Sequence, residues 1–290
     1  MAAPRITPLR TTGRAPRVLT IDVEEWFHVC GDDFYADPRR WTQFAPRLER
    51  TFAPLLDLLG RGGHRATFFF LGWIAERYPD LACEVARRGH EIGLHGYLHR
   101  RVDELTLEEF RDDLGRGRDR VEKAAALPVK AYRAAEWSIR HAGDPTLAVL
   151  VSEGFSCDAS VTPVRPLGRP ENLPGPYRVE LESGSLDEVP PLTGRGFGRT
   201  IPMGGGWPFR MFSAERLARA ENAFRESGWP AVFTFHPWEF DPDHPPMEGL
   251  SPLARLIHFY GLRSTGERFS RWLATDRCLA LEDVLPTLHP

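Results

Sequence analysis

The sequence predicts an α/β protein built on a largely parallel sheet, and three observations carry that expectation. Short β-rich apolar runs alternate with longer amphipathic ones, the pattern of βαβ units. Polar residues capable of chemistry follow directly after several of the apolar runs, where parallel α/β folds place their sites. The 290 residues, 42% hydrophobic and 27% charged, have ordinary globular composition and a length that suits one large α/β unit.

The run RVLTIDV (17–23) reads as the first strand, followed by a helical stretch from Arg47 to Leu59 and a Gly-Gly turn at 62–63. ATFFFL (66–71) reads as a buried strand, and Ile74 to Arg88 as one amphipathic helix stopped by Gly89. Thr106 and Glu109 form a capping box before a long polar helix reaching Ala126. Short strands are expected at Val129–Tyr132 and Phe155–Asp158. Residues 162–207, rich in Pro and Gly, read as a long decorated region with room for short antiparallel strands, shaping a substrate groove. A helix opens at Ser213 and Glu215, AVFTFH (231–236) reads as a core strand, and Ser251-Pro252 starts a further helix.

The N-terminal MAAPRITPLRTTGRAPR holds four arginines and no apolar core, so it does not read as a secretory signal. Residues 1–15 are expected to form a flexible tail, and 16–290 one domain with a helical C-terminal extension from about 246. The apolar stretch Thr67 to Ala75 is too short to span a bilayer, so the protein is expected to be cytoplasmic, without a membrane span. A net charge of −3 gives no field for nucleic acid. Cys30, Cys83, Cys157 and Cys278 form no CxxC pair, which argues against a cysteine zinc site and for reduced thiols. Oligomeric state is not legible.

Five constellations carry chemistry. In TIDVEEWFHV, strand alternation puts Asp22 and Glu24 on one face and Val23 and Glu25 on the other. In HEIGLHGYLHRRV, the HxxxH spacing of His95 and His99 would put both imidazoles on one helical face, suited to a divalent metal with open coordination positions. Gly93 and Gly96 beside them point to close backbone approach, and His90 reads as structural. Arg133 follows an apolar strand, where it could clamp a carboxylate and hold it ionised. Asp158 ends another short strand, and Pro237 stops the strand before His236 so that this histidine projects from the sheet edge.

In this order DVEEW, HGYLH, YRA, DAS and FHPWEFDP, with PMGGGWPFR (202–210), resemble the polysaccharide deacetylases of the NodB-homology type, carbohydrate esterase family 4. The likeness is nearest to the branch found beside exopolysaccharide and exosortase gene clusters, and covers nearly all of the chain after residue 15. It implies a distorted (β/α) barrel that uses a metal-activated water to remove N-acetyl groups from amino sugars. It also implies Asp22 as general base, His95 and His99 as metal ligands, and Arg133 as orienter of the base. Asp158 would tune His236, the general acid, while Trp238 and Trp207 would wall the acetyl pocket.

Two departures stand out. The common first motif has adjacent aspartates, the second a metal ligand, but position 23 here is Val; alternation then selects Glu24 over Glu25 as the metal carboxylate. Ala135 replaces the proline of the third motif, which bears on loop rigidity. Zinc is the first expectation for the metal, with Co, Fe or Ni also compatible with two histidines and a carboxylate.

The substrate expected is an N-acetylated amino-sugar polymer or its lipid-linked precursor, with peripheral membrane association compatible with the latter. Alternatives are a catalytically silent glycan-binding assembly protein, for which Val23 speaks, or the same fold acting on a cyclic amide or a peptidoglycan sugar. A retaining glycosidase using Asp22, Glu24 and Glu25 would leave the histidine pair unexplained.

Overall fold

The computed structural model describes residues 4–29, 34–196 and 198–290. Its strands are β1 (Arg5–Pro8), β2 (Arg17–Val23), β3 (Thr67–Phe70), β4 (Glu91–Leu94), β5 (Ala131–Tyr132), β6 (Cys157–Asp158), β7 (Tyr177–Leu181), β8 (Gly184–Glu188), β9 (Thr193–Gly196), β10 (Arg199–Pro202), β11 (Ala231–Phe235) and β12 (Cys278–Leu279). The main sheet runs in the order β1-β7-β8-β6-β5-β4-β3-β2-β11, with β12 also pairing to β2. From β8 to β11 every pairing is parallel; β1–β7 and β7–β8 are antiparallel, and β9–β10 form a separate hairpin.

The segment after β8 links the two ends of the parallel run by single hydrogen bonds. Val189 N donates to Asp158 O on β6 at 2.8 Å, and Leu192 N to Val232 O on β11 at 3.0 Å. The result is the distorted barrel arrangement that the resemblance implies, joined by irregular backbone where a regular strand would run.

Alternation along β2 divides its side chains between two cores. Leu19, Ile21 and Val23 face the helices, packed with Phe52, Phe68 and Phe70. Val18 faces the inside of the curled sheet with Phe69, Ala131, Cys157 and Val232. Thr20 and Asp22 continue that inner face toward the C-terminal end of the strand, by the period of two. Phe69 lies opposite Gly93 in register, and a Cβ on Gly93 would fall 2.5 Å from the Phe69 ring. A bare backbone at 93 is therefore needed for the inner aromatic.

The helices are α1 (Leu48–Arg61), α2 (Gly72–Arg77), α3 (Pro79–Arg87), α4 (Leu107–Ala125), α5 (Thr146–Ser152), α6 (Gly206–Met211), α7 (Ala214–Glu226), α8 (Pro252–Phe259), α9 (Leu262–Leu273) and α10 (Leu281–Val284). None is long and apolar enough to cross a membrane. The single helix expected at 74–88 is two, because Pro79 drives Tyr78 out of the helical region, to φ −129° and ψ 59°. The capping box of α4 is formed by Thr106 and Glu109.

The expected tail at 1–15 is also corrected. Residues 1–3 lie outside the described residues, but Arg5–Pro8 pair along β7, and Leu9 and Ala15 are fully buried. The C-terminal extension packs on the site as well as on the sheet: Trp26, Phe27, Tyr35 and Trp41 cluster with Met247, and Phe269 and Leu273 of α9 join the main core. Cys83, Cys157 and Cys278 are free thiols, and Cys30 lies outside the described residues.

Candidate active site

Asp22, Glu24, His95, His99 and His236 gather at the C-terminal ends of the parallel strands, around a cleft of about 420 Å³, and Arg133 and Asp158 do not line it. Asp22 is the last residue but one of β2, and Glu24 follows in the loop beyond the strand. Glu24 Oε1 lies 2.9 Å from Nε2 of both His95 and His99. Glu25 points the other way, its Oε1 accepting the Arg47 and Leu48 N–H groups at 2.8 and 2.9 Å. It thus satisfies the first free donors of α1, whose N-cap residue Arg47 makes no side-chain cap.

The helix expected from HxxxH is not there. His95 and His99 lie in the loop after β4, turned by Gly96 at φ 79° and His99 at φ 51°. That turn brings the rings to a centroid distance of 5.2 Å, so spacing that mimics one helical turn is achieved by a loop. The left-handed His99 is the kind of backbone strain that collects at functional sites.

The donor set fits a divalent cation. His95 Nδ1 pairs with the Arg133 carbonyl at 2.8 Å, which fixes the proton on Nδ1 and leaves Nε2 with a lone pair. That nitrogen lies 2.9 Å from a carboxylate oxygen, a contact that a proton or a cation between them would satisfy. Ligand atoms of Glu24, His95 and His99 all lie within 4.8 Å of one another, and all three residues are buried. Burial would raise the Glu24 carboxyl, but His99, His236 and His95 outweigh it and hold it well below the usual range.

Behind the cleft, Arg133 is wholly buried. Its Nη1 donates to Asp22 Oδ1 at 2.8 Å and Thr20 Oγ1 at 2.7 Å, and its Nε to Ala159 O at 3.1 Å. The guanidinium lies over the Phe69 ring at 4.4 Å, the ring for which Gly93 makes room. Ala135 opens a short turn in which Glu136 and Trp137 are both left-handed, at φ 52° and 51°. Arg101 Nη1 donates to Glu136 at 2.8 Å, and Ser138 Oγ accepts from Val102 N and donates to Ala135 O. These bonds brace the turn without the proline of the third motif.

Opposite Asp22, His236 follows β11 with its Nε2 3.9 Å from Asp22 Oδ2. The residue against its other nitrogen is not Asp158. Glu239, three residues on, turns back through the short helical turn at 237–240 and accepts from both His236 N (3.1 Å) and Nδ1 (2.9 Å). Burial lowers the affinity of His236 for a proton, yet Glu24, Glu239 and Asp22 together push it up to about 9. Asp158 instead ends β6 in register with Glu188 of β8, and accepts from Ser160 Oγ at 2.5 Å. Both acids are fully buried, and desolvation and the Asp158 charge push the Glu188 carboxyl well above its usual range.

Trp207 and Trp238 both line the cleft, as does Trp137, which the sequence reading passed over and whose Nε1 has no hydrogen-bond partner among the described residues. Glu239 stands within FHPWEFDP, and Trp137 lies four residues beyond the arginine of YRA; a motif letter does not reveal which side chain turns back on its neighbour.

Fold and site together define an α/β protein with a buried two-histidine, one-carboxylate centre beside an Asp–Arg pair. Residues 33–143 match the family profile "Polysaccharide deacetylase", and residues 159–285 match a domain of unknown function, DUF3473. The chain thus carries a polysaccharide deacetylase domain, of the NodB-homology, carbohydrate esterase 4 type, followed by DUF3473.

Among similar proteins, a peptidoglycan-N-acetylglucosamine deacetylase of Bacillus cereus is 34% identical over 89 residues, 30% of this chain and 32% of the relative. The chain thus spans about a third of that relative's length. A Mycobacterium smegmatis crystal structure described as a polysaccharide deacetylase superposes with a TM-score of 0.66 at 23% identity, over 97% of this chain and 93% of that one. A carbohydrate esterase 4 family pseudoenzyme of Bacillus anthracis superposes with a TM-score of 0.52 at 13% identity, over 94% and 66%. These two likenesses speak for the fold.

Proposed function

We propose that the chain is a metal-dependent hydrolase that removes N-acetyl groups from amino sugars of a bacterial exopolysaccharide or its lipid-linked precursor, on the cytoplasmic side. One observation carries the reading: Glu24, His95 and His99 converge between Asp22 on one side and His236 on the other. Glu24, His95 and His99 would hold the cation, zinc first. When bound, such an ion supplies Lewis acidity, lowering the pKa of water and polarising an amide carbonyl.

The chain's own groups supply the proton transfers. Asp22, hydrogen-bonded by Arg133, takes a proton from the attacking water. Water's oxygen bonds to the acetyl carbon as the C–N bond breaks. His236, protonated and held through Nδ1 by Glu239, gives a proton from Nε2 to the departing amine. One amide and one water become acetate and a free amino sugar. Arg133 keeps Asp22 aligned without touching substrate. Trp207 and Trp238 offer flat apolar faces to a sugar ring and its acetyl methyl.

The catalytically silent alternative draws on Val23, but Glu24 supplies a carboxylate to the histidines in spite of it. The test is acetate release from N-acetylglucosamine oligomers and lipid-linked N-acetyl amino sugars, by metal-loaded and by chelator-treated protein. Release with metal and at least about tenfold less without it is expected, since a lost Lewis acid removes several kcal/mol of transition-state stabilisation. No release from any such substrate would overturn the reading, and sugar binding without turnover would put the silent protein in its place.

A further inference from the structure

The motif PMGGGWPFR has no part in the proton transfers, yet its last residue is buried: the Arg210 side chain is 1% exposed. Gly204 and Gly205 let the segment lie flat along β11. Thr234 N donates to Gly204 O at 2.9 Å, and a Cβ on Gly205 would fall 1.9 Å from the Thr234 carbonyl oxygen. From that anchor α6 carries Arg210 to a point where three other parts of the chain meet.

Arg210 distributes its donors in two directions. Nε donates to Tyr260 O at 2.7 Å, and Nη2 to Ile257 O at 2.8 Å and His258 O at 3.2 Å. These carbonyls close the C-terminal end of α8, where acceptors lack helical partners and a cation is favoured. Nη1 donates to Glu239 Oε2. Glu239 is wholly buried, and its other oxygen is the one that holds His236 N and Nδ1. A continuous chain of charged hydrogen bonds therefore runs from the end of α8 through Arg210 and Glu239 to His236.

α8 is also a wall of the cleft, through Ala254, Ile257 and His258. The His258 ring stacks on Trp238 at 4.3 Å and 6°, and Trp238 stacks in turn on His236 at 5.3 Å and 24°. None of α8's side chains is fully buried, so packing alone anchors it weakly. Without the guanidinium, Glu239 Oε2 would be a buried acceptor lacking its charged donor. The carboxyl would then rotate or take up a proton, and either change releases the imidazole.

We propose that Arg210 is a positioning residue for the deacetylation: seated between α8 and Glu239, it fixes the carboxylate that orients His236, so that the substrate-facing helix and the proton donor are set together. This rests on the deacetylase reading above. Arg210 is buried and its donors are taken up by protein acceptors rather than left for a ligand, so the role shows in kcat more than in KM.

The test is a double-mutant cycle on acetate release with wild type, R210M, E239Q and R210M/E239Q, all metal-loaded. R210M is expected to lower kcat about 10²-fold with KM within about threefold, the scale of a misplaced proton-transfer group. On the E239Q background the same change should cost less than about twofold, because residues acting through one another are not additive. If the two losses multiply, or R210M lowers thermal stability with kcat unchanged, Arg210 merely ties down α8 and the proposal fails.

R210K keeps the bulk and charge and serves if R210M does not fold; lacking the planar fork, it should show the same kcat-only loss. Histidine 15N spectra read the coupling without turnover. The His236 Nδ1–H signal should be present in wild type and lost or displaced in R210K and E239Q alike. An unchanged signal in R210K overturns the proposal even if wild type proves inactive, whereas an inactive wild type with the spectral coupling intact counts against the deacetylase reading alone.

Discussion

Asp22→Asn is expected to lower kcat by about 10³-fold, within the 10² to 10⁴ range of a lost general base, while metal content stays at the wild-type level. Asn keeps the shape and can still accept from Arg133 Nη1, which now reaches Asp22 Oδ1 at 2.8 Å. What it loses is the capacity to take a proton. Asp22 also sits within 4.8 Å of Glu24 and His236 ligand atoms, so the metal measurement decides between two roles. Metal lost together with activity would make Asp22 a ligand and leave the reaction without its assigned base. A kcat within about threefold of wild type would remove Asp22 from the mechanism.

Arg133→Met is expected to be the most damaging single change to stability, at about 3–5 kcal/mol, the usual cost of breaking a buried ion pair by removing one partner. Asp22 is 2% exposed and would lose the nearer of its cationic partners, keeping only His236 at 3.9 Å among the described residues, while Thr20 and the Ala159 carbonyl would each lose a donor. Lys in its place keeps the charge but cannot donate in two directions from a planar fork, so it should recover little. Thermal or urea unfolding of R133M and R133K measures this. A loss under about 1 kcal/mol, the scale of an exposed pair, would mean that the Asp22–Arg133 bond is solvated and that Arg133 does not hold the base.

Much of this site was legible before the fold was known. Strand alternation after RVLTIDV separates Glu24 from Glu25, and the structure places one among the histidines and the other on the start of α1. Gly93 and Gly96 were readable as points of close approach, and prove to make room for Phe69 and to turn the backbone before His99. The same stretch misled on local structure. HxxxH has the helical period, but it follows the strand EIGL as a loop in which Gly96 and His99 are left-handed.

Other errors have long-range causes. Arg5–Pro8 reads as a tail because its partner, β7, lies some 170 residues away, and no local pattern announces that pairing. Asp158 was assigned to His236 by family likeness, whereas Glu239 reaches that nitrogen because Pro237 starts a tight turn that folds it back. Arg210 was visible inside PMGGGWPFR, but its value depends on the carbonyls of α8 some 50 residues further on.

The claim on which the account stands is that Glu24, His95 and His99 form a metal centre. Elemental analysis of metal-repleted wild type, Glu24→Ala, Glu25→Ala and His95→Ala tests it most directly. About one metal ion per chain is predicted for wild type and Glu25→Ala, and nearly none for Glu24→Ala and His95→Ala, since losing one of three protein ligands leaves too few to retain the ion. Wild type without metal after repletion, or Glu24→Ala retaining it as fully as Glu25→Ala, would contradict the centre and with it the proposed hydrolysis.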